Sequence, residues 1–509
     1  MKCINVRPKL ISHPMVCLSI LLLALTGCGS GSDEEKVGYI KFYNASPSAP
    51  SIYMSVDEDL DDDDTDEVEL TYSAVPYASV SATNSLEKGA YYVELGYQVD
   101  DSSDRDDLQL IYQEQLQIKK DQIKFVVLTS DIRSPNILTY DIDLVDDDND
   151  ADDDLFNLRL LNLSVNANYA SLDLYVSKDN QTFNEAQLLG TLNVEDLSDN
   201  IKLAQEDYIY YITLAGSSEV LYTSEDVAYS SVAQYIVVIR DNAGVGSAPF
   251  TIDSIGTNGI KQLNDIDAEA QFSFYNAIEV DVIDGTLPSY QGTVNVKVRR
   301  NGTTEFIFNN LAKGELSATT TTANGDYSFD IVEPNSGDVY LSRVLLTLID
   351  NADNTIFLYG HKTPIDDDND GIVDENQDGI VDGYETKIKS LTVTNSSSVS
   401  VFSHTMKIVN LADSDDFSRV TFYFVENDEI IATASHSASV LEEKTSSVTL
   451  LNNTYEVHAI ATIDGTSVIM DSYNLVLDED SKDQFVIFEA DASRESGFKM
   501  LFVDQKPKD

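Results

Sequence analysis

The chain has 509 residues, of which 42% are hydrophobic, and a formal net charge of -56 at pH 7. This length exceeds what one hydrophobic core supports, so we expect several domains. The acidic balance excludes nucleic acid as an expected partner, because binding phosphate requires clustered Lys and Arg, and it favours divalent cations instead.

Residues 1–27 predict an export signal. The first ten residues carry three basic side chains and no acidic one, and residues 15–25 form an apolar run. This run is shorter than the roughly 20 residues of a membrane span. It ends in Leu25-Thr26-Gly27-Cys28, which resembles the lipobox of bacterial lipoproteins. The resemblance implies cleavage before Cys28 and its diacylation; the alternative is an ordinary signal peptide with an incidental Cys.

Residues 28–36 are predicted to form a flexible tether, because Gly and Ser alternate directly after Cys28. In Gram-negative lipoproteins an Asp after the lipidated Cys retains the protein at the inner membrane, and here that residue is Gly29. The resemblance therefore implies an outer-membrane lipid anchor, on the periplasmic or the extracellular face. Cys3 and Cys17 leave with the signal, so we expect no internal disulfide.

A repeated strand pattern divides the remaining sequence into four units. In each unit an alternating strand ends in Asn, with apolar residues two and four positions before it and a polar residue three positions before it. A Tyr that follows turn residues lies 45 to 51 positions further on. Period two with one apolar face predicts a half-buried strand. The repeated pairs are Asn44 and Tyr91, Asn162 and Tyr208, Asn276 and Tyr327, and Asn410 and Tyr455.

These patterns predict an all-β fold of four tandem antiparallel, immunoglobulin-like β-sandwich modules joined by acidic linkers. The recurrent Tyr resembles the tyrosine corner of such domains, in which the hydroxyl locks a loop. Residues 57–69, an acidic run inside the first module, are predicted to be a solvated hairpin loop. The predicted modules are residues 37–143, 155–263, 268–363 and 387–505.

The start of the first module resembles a bacterial surface-domain family of unknown function, whose repeats open with His-Ala-Ser-Pro-Asp-Ala-Pro. Ala45-Ser46-Pro47 and Ala49-Pro50 match this opening, whereas Asn44 replaces the His and Ser48 replaces the Asp. The family's Leu-x-x-Gly-x-Tyr strand start is matched at residues 86–91. The resemblance implies tandem β-sandwich domains on exported proteins, and it implies no reaction.

Residues 366–385 carry the spacing of calcium ligands. Two twelve-residue loops overlap there, and the second has Gly379 at the turn and Glu385 at its end, as in an EF-hand loop. The first loop ends in Gln377, a poor bidentate ligand, and the overlap resembles the calcium loops of thrombospondin type 3 repeats. The alternative is an acidic linker without metal. The predicted Ca²⁺ ligands are Asp366, Asp368, Asp370, Ile372, Asp374, Asn376, Asp378, Ile380, Asp382 and Glu385.

The motifs favour a structural role over catalysis. The sequence has no nucleophile elbow, phosphate loop or catalytic Cys, and its His residues lack metal or triad spacing, so we expect no enzyme. We expect a membrane-anchored surface lipoprotein in which calcium fixes the angle between modules three and four, giving a stiff rod. The alternative is an adhesin that binds a glycan or a cell-surface protein. A secreted-type hydrolase would need a carboxylate pair in a cleft.

Overall fold

The computed structural model describes residues 37–60, 68–98, 105–145, 153–257, 259–279, 287, 290–365, 384–396 and 399–505. Within these ranges the secondary structure is β-strand, apart from short 3-10 helices at Arg105–Asp107, Ala167–Tyr169 and Phe183–Glu185. None of the described helices is long and apolar enough to cross a membrane. Cys28 and the predicted signal lie outside the described residues.

The strands fall into four consecutive groups that correspond to the four predicted modules. The first group is β1 (Val37–Asn44), β2 (Tyr53–Asp57), β3 (Glu69–Thr71), β4 (Ser79–Val80), β5 (Asn84–Glu87), β6 (Gly89–Gln98), β7 (Leu108–Ile118), β8 (Gln122–Thr129) and β9 (Asn136–Asp143). The second is β10 (Leu155–Asn162), β11 (Ser171–Lys178), β12 (Gln187–Asn193), β13 (Ile201–Ala204), β14 (Asp207–Leu214), β15 (Val220–Thr223), β16 (Val227–Ala228), β17 (Gln234–Asp241), β18 (Phe250–Ile255) and β19 (Ile260–Leu263).

The third and fourth groups contain eight strands each. The third is β20 (Glu269–Asn276), β21 (Thr293–Arg300), β22 (Thr303–Ala312), β23 (Thr320–Ala323), β24 (Gly325–Val332), β25 (Val339–Leu348), β26 (Asp353–Pro364) and β27 (Tyr384–Thr394). The fourth is β28 (Ser403–Asn410), β29 (Arg419–Val425), β30 (His436–Leu441), β31 (Lys444–Leu451), β32 (Thr454–Ile463), β33 (Thr466–Val476), β34 (Gln484–Ala490) and β35 (Phe498–Asp504).

Each module is a sandwich of two sheets, which confirms the all-β prediction of four tandem sandwiches. In module four the sheet that contains the first strand has the order β31-β28-β34-β35, and the other has the order β30-β29-β32-β33. We call these the first-strand sheet and the second-strand sheet of a module. The first strand pairs in parallel with a late strand in every module, and all other strand pairs are antiparallel. The order therefore differs from that of immunoglobulin constant domains.

The four recurrent Asn residues lie at the ends of the first strands and join the two sheets of their modules. All four side chains are buried. In module three the Asn276 amide donates to the carbonyl of Leu311 at 2.9 Å, and its Oδ1 accepts from the backbone N–H of Ile278 at 3.0 Å. Asn44, Asn162 and Asn410 make the same two kinds of bond.

The recurrent Tyr residues form the predicted corners in three modules. The hydroxyls of Tyr208, Tyr327 and Tyr455 each donate to the backbone carbonyl four residues earlier, at 2.8, 2.8 and 3.1 Å. Each bond ties the start of a strand in the second-strand sheet to the last residue of the preceding strand, which lies in the first-strand sheet. Strands β2 and β3 pair as the predicted hairpin, with Asp57 opposite Glu69, while residues 61–67 of the predicted solvated loop lie outside the described residues.

The first strands are buried on both faces, whereas the period-two pattern predicts burial on one. Ile40 and Phe42 of β1 point into the core of module one, and Tyr43 and Phe125 of the opposite face belong to a second apolar cluster. That cluster includes Leu161 and other residues of the first-strand sheet of module two. Modules one and two therefore pack with their first-strand sheets face to face, and modules three and four pack in the same way.

The two pairs of modules also contact each other, module two with module three and module one with module four. Between modules two and three, the Asn351 amide donates to Asn264 Oδ1 at 2.8 Å. Between modules one and four, the rings of Tyr97 and Phe402 stack with centroids 4.7 Å apart. Residues 37–509 consequently form one compact unit. The expected rod of modules laid end to end is therefore wrong, because modules pack face to face within each pair. The acidic runs in the sequence gave no indication of these shared apolar faces.

The boundary between modules three and four differs from the predicted one. Strand β27 pairs with β26 from Asn354 opposite Thr394 to Pro364 opposite Tyr384, so it belongs to module three. Residues 366–383 therefore connect the two strands of one hairpin and do not join two modules. An acidic composition is common to linkers between domains and to hairpin connections, so the sequence did not distinguish the two.

Candidate metal centre

The structure describes one of the ten predicted calcium ligands. Residues 366–382, which carry the other nine, lie outside the described residues. Glu385 lies in β27 opposite Thr363, and its Oε1 is 2.5 Å from the ammonium of Lys387. Calcium binding by these residues thus remains a prediction. Because they connect β26 and β27 of module three, they do not set the angle between modules three and four as expected.

Four other metal-ligating side chains meet at the contact between modules three and four. Nδ1 of His361 lies 2.9 Å from Oε1 of Glu443, 3.6 Å from Oε1 of Glu442 and 3.9 Å from Oδ1 of Asp413. One ligand atom from each of His361, Asp413 and Glu442 lies within 4.8 Å of the others. We call these four residues the seam cluster. Their side chains are between 19% and 26% exposed.

Two hairpins and one Asn position the seam cluster. His361 lies near the end of β26, where it is held opposite Lys387 of β27. On the side of module four, Asn410 ends β28, and its backbone carbonyl accepts from the N–H of Glu443 at 2.9 Å. Glu443 has a φ of 56°, which completes the tight turn between β30 and β31. Asn410 therefore positions the turn that carries the carboxyl groups of Glu442 and Glu443. It also lies three residues before Asp413, which carries the third carboxyl group.

Negative charge dominates the seam cluster. Three carboxyl groups face one imidazole and the ammonium of Lys389, whose Nζ is 2.8 Å from Oε1 of Glu443. Burial, followed by the charges of Asp413 and Glu443, raises the pKa of Glu442 to about 7. This shift records how poorly water and the surrounding protein compensate a charge on Glu442.

Two atoms of the seam cluster are enclosed without a hydrogen-bond partner. These atoms are Nδ1 of His361 and Oε1 of Glu442. The distance of 2.9 Å between Nδ1 and Glu443 is short enough for a hydrogen bond, yet the two groups lack the alignment that such a bond requires. A nitrogen and an oxygen that converge in this way can both act as ligands of a cation.

The sequence offered no local signal for the seam cluster. His361 and Asp413 are far apart in the chain, and Glu442 and Glu443 come from a third segment. Two His residues of module four have polar partners outside the cluster: Nε2 of His404 lies 2.7 Å from Oδ1 of Asn452, and Nδ1 of His458 lies 2.8 Å from Oγ of Ser472. His458 lies in β32, as its alternating context predicts. A spacing rule therefore misses the cluster.

Comparisons with known proteins give no family. No family model matches the chain, and no curated protein matches it. Among solved structures, it is similar at 9% identity to the TIE protein of Bacillus anthracis, with a TM-score of 0.16 and coverage of 91% of this chain and 76% of that one.

Two pilus proteins give comparable values at 9% identity. For the major pilin subunit BcpA of Bacillus cereus the TM-score is 0.14, with coverage of 66% of this chain and 99% of that one. For the pilus adhesin SpaC of Lactobacillus rhamnosus GG it is 0.18, with coverage of 83% and 54%. At these TM-scores the likeness carries no argument about function.

Proposed function

We propose that the protein is a lipid-anchored scaffold of the bacterial cell envelope, without catalytic activity. The observation that carries the proposal is the shared burial of the first-strand sheets, which joins the four sandwiches into two pairs. Further contacts between the pairs complete one compact body. Such a body presents four second-strand sheets and their loops in a fixed arrangement. The anchor at Cys28 and the Gly-Ser tether attach that body to the outer membrane.

The anchor is tested by metabolic labelling with a radioactive fatty acid. We expect label on the wild-type chain and on Cys17→Ala, and none on Cys28→Ala, since Cys17 leaves with the signal. The wild-type chain is expected in the outer-membrane fraction, and Cys28→Ala, which lacks the lipidated residue, is expected to be missing from that fraction. Label on Cys28→Ala, or a wild-type chain that stays soluble, rejects the proposed anchor.

We further propose that residues 366–385, which follow β26 and reach into β27, bind calcium. Calorimetric titration of residues 33–509 tests this, with Asp378→Ala as the variant and Asp179→Ala, in a loop of module two, as its control. Saturable binding that Asp378→Ala weakens and Asp179→Ala leaves unchanged supports the site. Small-angle scattering should show no elongation with calcium, because the connection lies within one module. Equal titrations for all three proteins contradict the proposal.

A second candidate function is binding of a glycan or protein ligand. It is favoured by a polar cleft of about 410 Å³ where modules one, two and three meet, with Tyr77, Arg240, Gln262 and Asp350 among its lining residues. An aromatic ring beside amide and charged groups is a common combination in ligand sites. A glycan array probed with residues 33–509 tests this role, and Gln262→Ala should lower any signal that depends on the cleft.

A further inference from the structure

We propose that His361, Asp413, Glu442 and Glu443 bind one divalent transition-metal ion that joins modules three and four. The site is separate from the predicted calcium loop in its residues and in its ligand chemistry. His361 belongs to module three, and the three carboxyl groups belong to module four. An ion held by both sets of ligands fixes the contact between these modules.

The distances within the seam cluster agree with ligands around a single ion. With metal–ligand bonds of about 2.1 Å, neighbouring ligand atoms lie ~3.0 Å apart in octahedral and ~3.4 Å apart in tetrahedral geometry. The distances from Nδ1 of His361 to the three carboxylate oxygens are 2.9, 3.6 and 3.9 Å. One ligand atom from each of His361, Asp413 and Glu442 also lies within 4.8 Å of the others, so an ion would draw the outer ligands inward by up to about 1 Å.

The ligand types select the class of metal. Imidazole nitrogen is a good ligand for zinc, copper, nickel and iron, whereas calcium and magnesium prefer oxygen ligands throughout. Three carboxyl groups against His361 and Lys389 leave the cluster with an excess of negative charge when all of them are ionised. A divalent cation compensates this excess and supplies a partner for Nδ1 of His361 and Oε1 of Glu442, which have no hydrogen-bond partner.

Contacts around the cluster hold the ligands in place. The backbone N–H of Lys362 donates to Oδ2 of Asp413 at 2.5 Å, which connects β26 directly to the loop after β28. Lys389 of β27 contacts Glu443 from the same side. Because these contacts already join the two modules, the ion strengthens an existing interface, and the chain folds without it.

Titration of the full mature chain with Zn²⁺, made non-lipidated by Cys28→Ser, tests the proposal. We expect saturable binding of one ion at high affinity, weakened at least ~10-fold in Glu442→Gln and in His361→Ala. His458→Ala is the matched control, because it removes a module-four His outside the cluster, and Asp378→Ala keeps the cluster while it alters the calcium loop. Both should bind Zn²⁺ like the parent.

Two further measurements separate a specific site from general binding by an acidic chain. Bound Co²⁺ should give a visible absorption band that depends on its nitrogen ligand. His361→Ala should abolish this band, whereas His458→Ala should retain it. Hydrogen exchange in β26 and β28 should slow on addition of Zn²⁺, with no change in modules one and two.

The outcomes that overturn the proposal are equally concrete. Absence of saturable Zn²⁺ binding, or binding that persists unchanged in both His361→Ala and Glu442→Gln, shows that the cluster holds protons and no metal. Glu442→Gln has nearly the same shape as the parent side chain, and circular dichroism checks that this variant is folded. Displacement of Zn²⁺ by equimolar Ca²⁺ would also contradict the assignment to a transition metal.

Discussion

Replacing Asp253 with Ala removes an acceptor that two buried donors share between modules one and two. Oδ2 of Asp253 accepts from Nε of Arg240 at 2.7 Å and from the hydroxyl of Tyr43 at 2.5 Å. The Asp253 side chain is fully buried and that of Arg240 is 5% exposed. The variant therefore leaves a guanidinium charge inside the protein without a carboxylate.

The expected cost follows from this burial. Removing one partner of a buried ion pair typically costs about 3–5 kcal/mol, and the full range applies because neither group is screened by water. Arg240 keeps a hydrogen bond to the hydroxyl of Tyr77 at 3.1 Å, so we expect a loss of about 4 kcal/mol. A loss of this size should increase the rate of amide hydrogen exchange about a thousand-fold in the strands that carry the pair, where exchange requires the structure to open.

Hydrogen exchange followed by mass spectrometry measures this effect locally. Peptides from β17 and β18 should exchange faster in Asp253→Ala, while modules three and four serve as an internal reference. Asp131→Ala is the matched control, because Asp131 also pairs with two nitrogens of an arginine, Arg133, but at the surface. The control should change exchange little, since exposed ion pairs contribute little stability.

A double variant separates the lost partner from the lost packing. Arg240→Met combined with Asp253→Leu replaces both charges with apolar groups and leaves only the buried Tyr43 hydroxyl without its acceptor, so we expect a cost of about 1–3 kcal/mol, smaller than that of Asp253→Ala. If Asp253→Ala alone leaves exchange in β17 and β18 as slow as in Asp131→Ala, the buried pair does not hold these modules together and the reasoning fails.

Three further predictions concern the repeated Asn, the corner Tyr and a buried lysine. Asn276→Ala leaves two buried backbone groups unpaired and should cost about 2–4 kcal/mol by urea unfolding, whereas a cost below ~1 kcal/mol would refute its role between the sheets. Tyr208→Phe deletes one hydroxyl and should cost about 1 kcal/mol by the same assay, with a clear loss of protection in β14. Burial lowers the pKa of Lys41 from 10.5 to about 8, so between these values the unfolded chain binds more protons and stability should rise with pH. Unfolding of Lys41→Met should lack that rise, and an identical pH profile would contradict the assignment.

The sequence predicted the individual modules better than their assembly. Alternation around Asn44 and Asn410 indicated the strands, and the steady distance to Tyr91 and Tyr455 indicated the repeat, because both patterns arise from neighbours within one chain segment. The parallel pairs and the face-to-face sheets depend on partners far away in the sequence. Lys41 shows the difficulty: its polar type indicated a solvent face, yet its ammonium donates to the carbonyls of Gly256 and Thr257 inside the contact with module two.

The seam cluster lay beyond prediction for the same reason. Its four residues come from three segments in two modules, and only the folded contact between β26 and the β30–β31 turn brings them together. The calcium loop gave the opposite situation, since its ligands follow one another in the chain and their spacing is visible at once. Local chemistry can be predicted from spacing, whereas chemistry assembled between modules requires the structure.

The face that two modules share makes the pair the smallest unit in which both first-strand sheets are covered. During synthesis the outer face of β1 and β8, which carries Tyr43 and Phe125, stays uncovered until β10 and β17 have been made. A chain in which only one or three modules have been made therefore exposes an apolar sheet face that is prone to aggregation, as partly folded multidomain chains commonly do. Gene duplication or deletion in such an architecture should be tolerated in steps of two modules, because a single step leaves one sheet without its partner.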